Sequence, residues 1–495
     1  HRRHQPPAAP TEAHLRNLRR VGVRRSNMAD QYDAAFAIPE DAAGDRSPAE
    51  GRAGCRPRVK ALFLHPVKSC APVEVRSAAL LKRGFEHDRC FALAVQKRPK
   101  PGKGHADGEG EGGAEWRFVS QRTKPMMARI ATELWFPRRD DAAGEDDRDG
   151  DDLVRAGGCV VLRFQEPDAP DYDAPASDDV SSRTTTKPSS LVPAMVSLTV
   201  PLRPTAEMLR AHGIKRKPFG IHDRTAKGLD MSPFPSVASA LPKLKRFLKL
   251  PEHHGLALLS CNGTASDSDS NDEDAMLSRT SGNLAPLRHI GTPSVHGYTD
   301  DQPLNVNSLA SVHAVSALLP PGSGAGPLNA LRFRANVWVA GSPAFDEETW
   351  KRFRFVPTGD NDNDNDDDGG GGGEGRPRRR VCATISAVCR TSRCTMPNVD
   401  PDRGVMCAGD PPPGRRKGRP QPSATLVEHR SVDDGNRGAL GFLGMHCVPE
   451  DRSLAEAAAT AGERGGRAGL VVRVGDEVEV LERGTHLFGS TANEY

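Results

Sequence analysis

Aromatic residues are scarce in this chain: they make up 5% of 495 residues, and all hydrophobic types together reach only 36%. With 49 glycines, 41 prolines and a mean hydropathy of −0.56, much of the chain cannot bury enough apolar surface to offset its ordering entropy. Length alone would give roughly two to four domains. Composition lowers this to one or two compact domains carrying disordered insertions. An excess of one charge is also missing. Basic residues number 68 and acidic ones 65, a balance that gives no cationic footprint for a nucleic acid. No run of about 18 uncharged apolar residues occurs, so no transmembrane helix is predicted. The ten cysteines lack the dense spacing of a secreted mini-domain, and no apolar signal segment precedes them, which points to a reducing compartment. Also absent are GxSxG, HExxH, CxxC, a glycine-rich P-loop, a dinucleotide fingerprint, and any haem or flavin motif.

What remains are islands of globular sequence between the low-complexity stretches 98–114, 137–152, 166–190, 262–285, 360–380 and 409–436. The run "DNDNDNDDDGGGGGEGRPRRR" combines like charges with glycine and has no apolar face. Long insertions of this kind cost little, because closure entropy grows only logarithmically with length. The arginine-rich start, with Glu12 its one acid in residues 1–25, has the composition of a mitochondrial presequence or of an extension ahead of Met28. Alternation at Val59, Ala61 and Phe63 predicts a strand that ends before Pro66. "FPSVASALPKLKRFLKL" sets Leu241, Leu244, Phe247 and Leu248 at helical spacing with lysines opposite, a helix expected to pack on its own sheet. "PLNVNSLASVHAVSALL" reads as strand, turn and helix with Ser308 as cap. Gly475-Asp476 interrupts alternating valines as a hairpin or bulge would. Many short strands with few long helices predict β-barrel-like domains.

Cys394, in "TSRCTMPNVDPDRG", has no second cysteine within four residues. Its neighbour Arg393 favours the thiolate, the species that attacks electrophiles and binds soft metals. A turn at Cys394 would add backbone N–H groups, and Pro397, Pro401 and Gly404 would fix the exit path. A cysteine simply buried in a strand is the plain alternative. A four-cysteine zinc or iron–sulfur site from Cys382, Cys389, Cys394 and Cys407 competes, but its gaps of six, four and twelve residues lack the close pairs such sites use. In "HPVKSC", Lys68 and Ser69 follow a strand and a proline, where they can face a cleft as an anion site. Arg89, Arg334 and Asn336 add a second set, and an arginine in an apolar strand needs a phosphate or carboxylate partner. A phosphate would then be held by side chains from separate loops. Asp400 and Asp402 lack the further oxygen ligands of a calcium loop.

In order and wording, "LHPVKSC", "RGFEHDRCFAL", "FVSQRTKPMMARI", "PLNVNSLASV", "FRANVWV", "SRCTMPNVDPDRG" and "VRVGDEVEVL" resemble the MOSC-domain proteins with an N-terminal β-barrel domain. That group includes the mitochondrial amidoxime reducing component, and the resemblance runs from about 59 to 482. It implies a mixed α/β, mainly β fold of two barrel-like domains with long disordered insertions. The expected division is a disordered or targeting tail over 1–57, a first barrel over 58–261, a linker over 262–285, a second domain over 286–483 and a tail over 484–495. It further implies a molybdenum cofactor, with Cys394 as the thiolate ligand and catalytic centre, and Lys68, Ser69 and Arg89 on the pterin and its phosphate. Ser308, Ser311, Arg334, Asn336 and Arg393 match further cofactor-binding positions. The implied reaction is reduction of N-hydroxylated small molecules such as amidoximes, with electrons from a b-type cytochrome and its flavin reductase. The alternative is a cofactor or sulfur carrier like the C-terminal part of the molybdenum cofactor sulfurases, whose pyridoxal phosphate domain has no counterpart here. Departures are Thr391, where many relatives carry an additional cysteine, and Ala335 in place of a proline. The transmembrane anchor expected of the mitochondrial enzymes is also absent, so substrate or localisation can differ; mitochondrial and cytoplasmic locations both stay open, the arginine-rich start pointing to the first.

Overall fold

The alternation at Val59, Ala61 and Phe63 does form a strand, Arg58–Leu64. Its successive side chains enter two different cores. Leu62 and Leu64 join the large cluster, while Ala61 and Phe63 meet Trp338, Leu309 and Val312 in a second one. The computed structural model describes residues 12–43, 56–97, 115–138, 151–169, 194–263, 276–279, 285–358, 381–407, 419–435, 440–462 and 470–489. Stretches 98–114 and 360–380 fall outside these residues, as does most of 137–152, 166–190 and 262–285.

Eight strands form the sheet that carries the site. Their order is Val337–Ala340, Leu304–Ser308, Gly441–Pro449, Ala383–Arg393, Trp350–Val356, Glu477–Arg483, Arg58–Leu64 and Val73–Val75. Val337–Ala340 also pairs with Arg58–Leu64, which closes the first seven into a barrel and leaves Val73–Val75 on its edge. Leu304–Ser308 and Val337–Ala340 run parallel, so the helix Leu309–Ala317 serves as part of their crossover. A second closed barrel contains Arg216–Ile221, Arg224–Asp230, Gly255–Ser260, Phe91–Lys97 and Glu115–Phe118. Beside it lies a four-stranded sheet of Leu18–Val21, Ala131–Pro137, Cys159–Gln165 and Met195–Pro201. The predicted amphipathic helix is present as Pro235–Phe247; Val237, Ala240, Leu244 and Phe247 are buried, and Phe247 packs on Phe164 at 5.3 Å.

Several expected boundaries need correction. Strands Arg58–Leu64 and Val73–Val75 belong to the barrel of the second domain, because the register Leu62↔Val337 satisfies their backbone groups there. Residues 12–43 are no tail. Leu18–Val21 pairs with Ala131–Pro137, and Leu15 and Leu18 are wholly buried against Leu153, Cys159 and Val161. Apolar residues spaced among the arginines supply the buried face that mean composition hides. Within the expected insert 409–436, the helix Ser423–His429 buries Leu426 against the strand Gly441–Pro449. Gly475-Asp476 is neither hairpin nor bulge; it passes the chain from Leu470–Arg473, paired with Ser77–Leu81, into the eight-stranded sheet.

Candidate functional site

A cavity of about 610 Å³ opens where the loops after these strands converge. Lys68 and Ser69 reach it from the loop after Arg58–Leu64, Arg334 and Asn336 from just before Val337–Ala340, and Cys394 from the end of Ala383–Arg393. Six basic side chains line it, Lys68, Arg89, Arg122, Arg332, Arg334 and Arg393, against three acidic ones, Asp223, Asp300 and Asp301. The excess is three positive charges, in a concave site where fields are focused. Four lining residues that are not glycine, Ser69, Arg89, His222 and Arg334, have left-handed backbones with φ of 68°, 45°, 54° and 53°. Each costs on the order of 1 kcal/mol, a strain that concentrates where side-chain direction matters more than stability.

Two of those side chains hold unused donors. The Ser69 hydroxyl and Arg334 Nη2 are buried without a hydrogen-bond partner, although Arg334 Nη1 donates to the Cys70 carbonyl at 2.8 Å. Burial, and then the nearby Arg89, push the Arg334 guanidinium down to about 10. Arg89 donates to the Arg334 carbonyl at 2.8 Å and to Asn336 Oδ1 at 3.2 Å, and pairs with Asp88. Lys68 Nζ is buried, donates to the Tyr298 carbonyl at 2.9 Å and is paired with Asp300. Burial works to raise the Asp300 carboxyl, but the Lys68 ammonium and the His222 imidazole at 2.9 Å overcome it and hold it well below the usual range.

Arg393 points inward rather than toward the thiol. Its guanidinium donates to the carbonyls of Leu443 and Phe333 at 2.8 and 2.9 Å and to Asn305 Oδ1 and Asn307 Oδ1 at 3.1 and 3.2 Å. Asn307 can reach it because Gly444 lies alongside: a Cβ there, at φ +78°, would sit 1.3 Å from Asn307 Oδ1. Asn305 Nδ2 also donates to the Thr391 hydroxyl at 2.6 Å. The chain leaves the strand at Arg393 and turns into a short 3-10 helix, Met396–Asn398. This is the expected turn, and the Met396 N–H donates to Cys394 Sγ at 3.4 Å.

Two expected site residues lie elsewhere. Ser308 and Ser311 are fully buried away from the cavity lining, on the buried carboxylate of Glu347. The Ser311 hydroxyl lies 2.8 and 2.9 Å from its oxygens, and the Ser308 N–H donates at 3.3 Å. The Ser311 hydroxyl and the Ser308 backbone N–H thus supply the partners that the buried Glu347 oxygens require, while the Ser308 hydroxyl lies 3.3 Å from that of Ser342. Burial, and then the adjacent Glu348, push Glu347 up to about 8, with Ser311 and Ser308 pulling the other way. Its ordinary value of 4.5 is lower, so the folded chain keeps a proton that the unfolded chain has lost. The stability this group contributes is present at acid pH and disappears as pH rises from about 4.5 to about 8. Glu347→Gln should flatten stability over that window by a few kcal/mol, read from urea midpoints at successive pH values. An unchanged slope in the variant would refute this.

Sequence reading missed Asp300, His222, Arg122 and Arg332, which also line the cavity. The doublet Asp300-Asp301, just ahead of "PLNVNS", was the available signal. The four-cysteine alternative fails on placement: Cys389 is buried among Ala285, Ile290, Val388 and Val448, while Cys407 Sγ lies 3.4 Å from the Arg332 guanidinium. Among the described residues, no three His, Cys, Asp or Glu side chains gather as a metal cage, and no helix is long and apolar enough to cross a membrane.

The model of the MOSC N-terminal beta barrel domain matches residues 56–149, and that of the MOSC domain matches residues 293–479. No curated protein matches the chain. The two matches divide the strands that the cavity unites: Lys68 and Arg89 fall in the first, Arg334 and Cys394 in the second. With both models matched in order, over more than half its length, the chain is a MOSC-domain protein.

Proposed function

We propose that the chain is a molybdenum-cofactor-dependent reductase that removes oxygen from N-hydroxylated small molecules such as amidoximes, taking electrons from a b-type cytochrome and its flavin reductase. MOSC domains are associated with proteins that bind this cofactor. The observation that carries the reading is the meeting of unused anion donors and one soft donor in a single cavity: Ser69 Oγ and Arg334 Nη2, with Cys394 on the same wall. A phosphate-bearing pterin would satisfy both orphaned donors, which otherwise stay buried at a cost of about 1–3 kcal/mol each. The residues present therefore fit the group. Lys68, Ser69, Arg89 and Arg334 would hold its phosphate and pterin, and Cys394 would supply the protein's thiolate to the metal.

When bound, the molybdenum centre supplies the two-electron chemistry. The chain's own residues provide position and electrostatics. Arg393 locks the backbone before Cys394 to four separate oxygens, so the thiol is held still. Asn336 joins Arg89 to the backbone N–H of Asn305 at 3.2 Å each, and Asn305 in turn meets Arg393. Anion site and thiol loop are thus one continuous hydrogen-bonded unit. His446 lines the same wall, and burial, then Arg393, press it down to about 3. It is neutral at physiological pH and adds no charge to the substrate space.

Protein made in a cofactor-competent host should contain close to one molybdenum and one pterin per chain, and should reduce benzamidoxime when supplied with a reductant. Absence of molybdenum overturns the cofactor reading. Molybdenum without turnover favours the carrier instead.

A further inference from the structure

The cavity's lining carries an excess of basic side chains, but apolar ones also reach it after Cys394. Met396 and Pro397 follow the cysteine by two and three positions and line the space. Leu440 lines it too, next to Gly441, which pairs with Arg393. Two aromatic side chains complete the apolar lining: Phe333, whose ring lies 5.4 Å from the Arg393 guanidinium, and, from far along the chain, Phe488, beyond the last strand, Glu477–Arg483. Its ring meets Phe442 edge-on at 5.7 Å, and Phe442 pairs with Ser392, two residues before the thiol.

This segment is fastened, although composition places it in a tail. His486 is buried, with Nε2 at 2.9 Å from the Trp350 carbonyl and Nδ1 at 3.2 Å from that of Val388. Arg390 donates to the His486 carbonyl at 3.0 Å and to Asp433 Oδ2 at 2.9 Å. The other oxygen of buried Asp433 accepts the Phe488 N–H at 2.9 Å. Gly435 packs under the same peptide, where a Cβ would lie 2.0 Å from the Phe488 carbonyl oxygen.

We infer that residues 485–489 are a strap that makes Phe488 the specificity-determining residue of the cavity, selecting N-hydroxylated substrates with a flat apolar body over small aliphatic ones. The inference rests on the function proposed above. A polar N-hydroxy head needs the thiol side of the cavity, and the part of the substrate behind it then meets Phe488, Leu440 and Met396. An aromatic ring there gains both extensive apolar burial and edge-to-face contact with Phe488, whereas a methyl group buries far less area and has no ring contact.

The test uses the full chain loaded with cofactor, as wild type, Phe488→Ala, Phe488→Leu and Gly435→Ala. It compares kcat/KM for benzamidoxime with that for acetamidoxime, and measures benzamidoxime binding by calorimetry. Phe488→Ala should lower the benzamidoxime-to-acetamidoxime ratio about tenfold, chiefly through KM, with molybdenum content kept and a modest fall in melting temperature from lost packing on Phe442. Phe488→Leu should fall between. Gly435→Ala should lower the ratio by displacing the strap while Phe488 itself is intact. A ratio within about twofold of wild type in Phe488→Ala overturns the inference. If wild type turns over neither compound but binds benzamidoxime in a Phe488-dependent way, the proposed reaction fails and the strap's role in selection stands. Phe488-independent binding in that case overturns the strap as well.

Discussion

Replacing Cys394 by alanine is expected to remove amidoxime turnover almost entirely, by about 1000-fold or more, while leaving the fold in place. The separation of the two effects follows from how the side chain is held. Cys394 stands outside the strand that ends at Arg393, is half-buried, and among the described residues accepts a hydrogen bond from the Met396 N–H alone, at 3.4 Å. Loss of so weak a contact at a partly open position costs under about 1 kcal/mol. Melting temperature should therefore shift by no more than a few degrees. Among the cavity's lining residues it is the one cysteine, so no neighbouring thiol can take over as soft donor. Steady-state turnover, molybdenum analysis and a thermal melt on one preparation check this. Retained turnover in Cys394→Ala would contradict both the reductase and the carrier readings.

Arg393→Ala is expected to do the opposite, acting first on stability. The guanidinium is buried and satisfies four oxygens from Phe333, Asn305, Asn307 and Leu443, which belong to three different segments, the two asparagines sharing the strand Leu304–Ser308. Truncation leaves those acceptors buried and unpaired, at a cost on the order of 3–5 kcal/mol. A fall of about 10 °C in melting temperature is expected, with cofactor retention lost alongside. Arg393→Lys should recover little, because a single ammonium cannot span the planar fork that the four oxygens define. Differential scanning calorimetry of both variants decides the matter. A melting temperature unchanged in Arg393→Ala would show that the network does not hold the loop.

The same residue shows where sequence reading reached its limit. Adjacency of Arg393 and Cys394 predicts a cation beside a thiol. In the folded chain Arg393 ends its strand with Cys394 just beyond it, and the hydrogen bonds of the guanidinium go to Asn305 and Asn307. Ser308 and Ser311 misled for a related reason. Their block resembles the family's, but the Ser311 hydroxyl turns to Glu347 and the Ser308 hydroxyl, at a strand end, to Ser342. Lys68, Ser69, Arg89, Arg334, Asn336 and Cys394 were legible because a rigid strand or turn precedes each one and limits where it can point.

Sequence alone determined the mainly β class, the order of the islands, the amphipathic helix Pro235–Phe247 and the turn at Cys394. Those are local matters of period, proline and glycine, legible within a window of about a dozen residues. Tertiary structure alone decided that Arg58–Leu64 closes the second barrel, that residues 12–43 belong to the core, and that Phe488 returns to the cysteine. Each of these depends on backbone pairing or burial between residues far apart in the chain, from 98 positions for His486 and Val388 to the pairing of Leu62 with Val337. No local pattern encodes such a partner; the free energy that selects it exists only once both surfaces are formed.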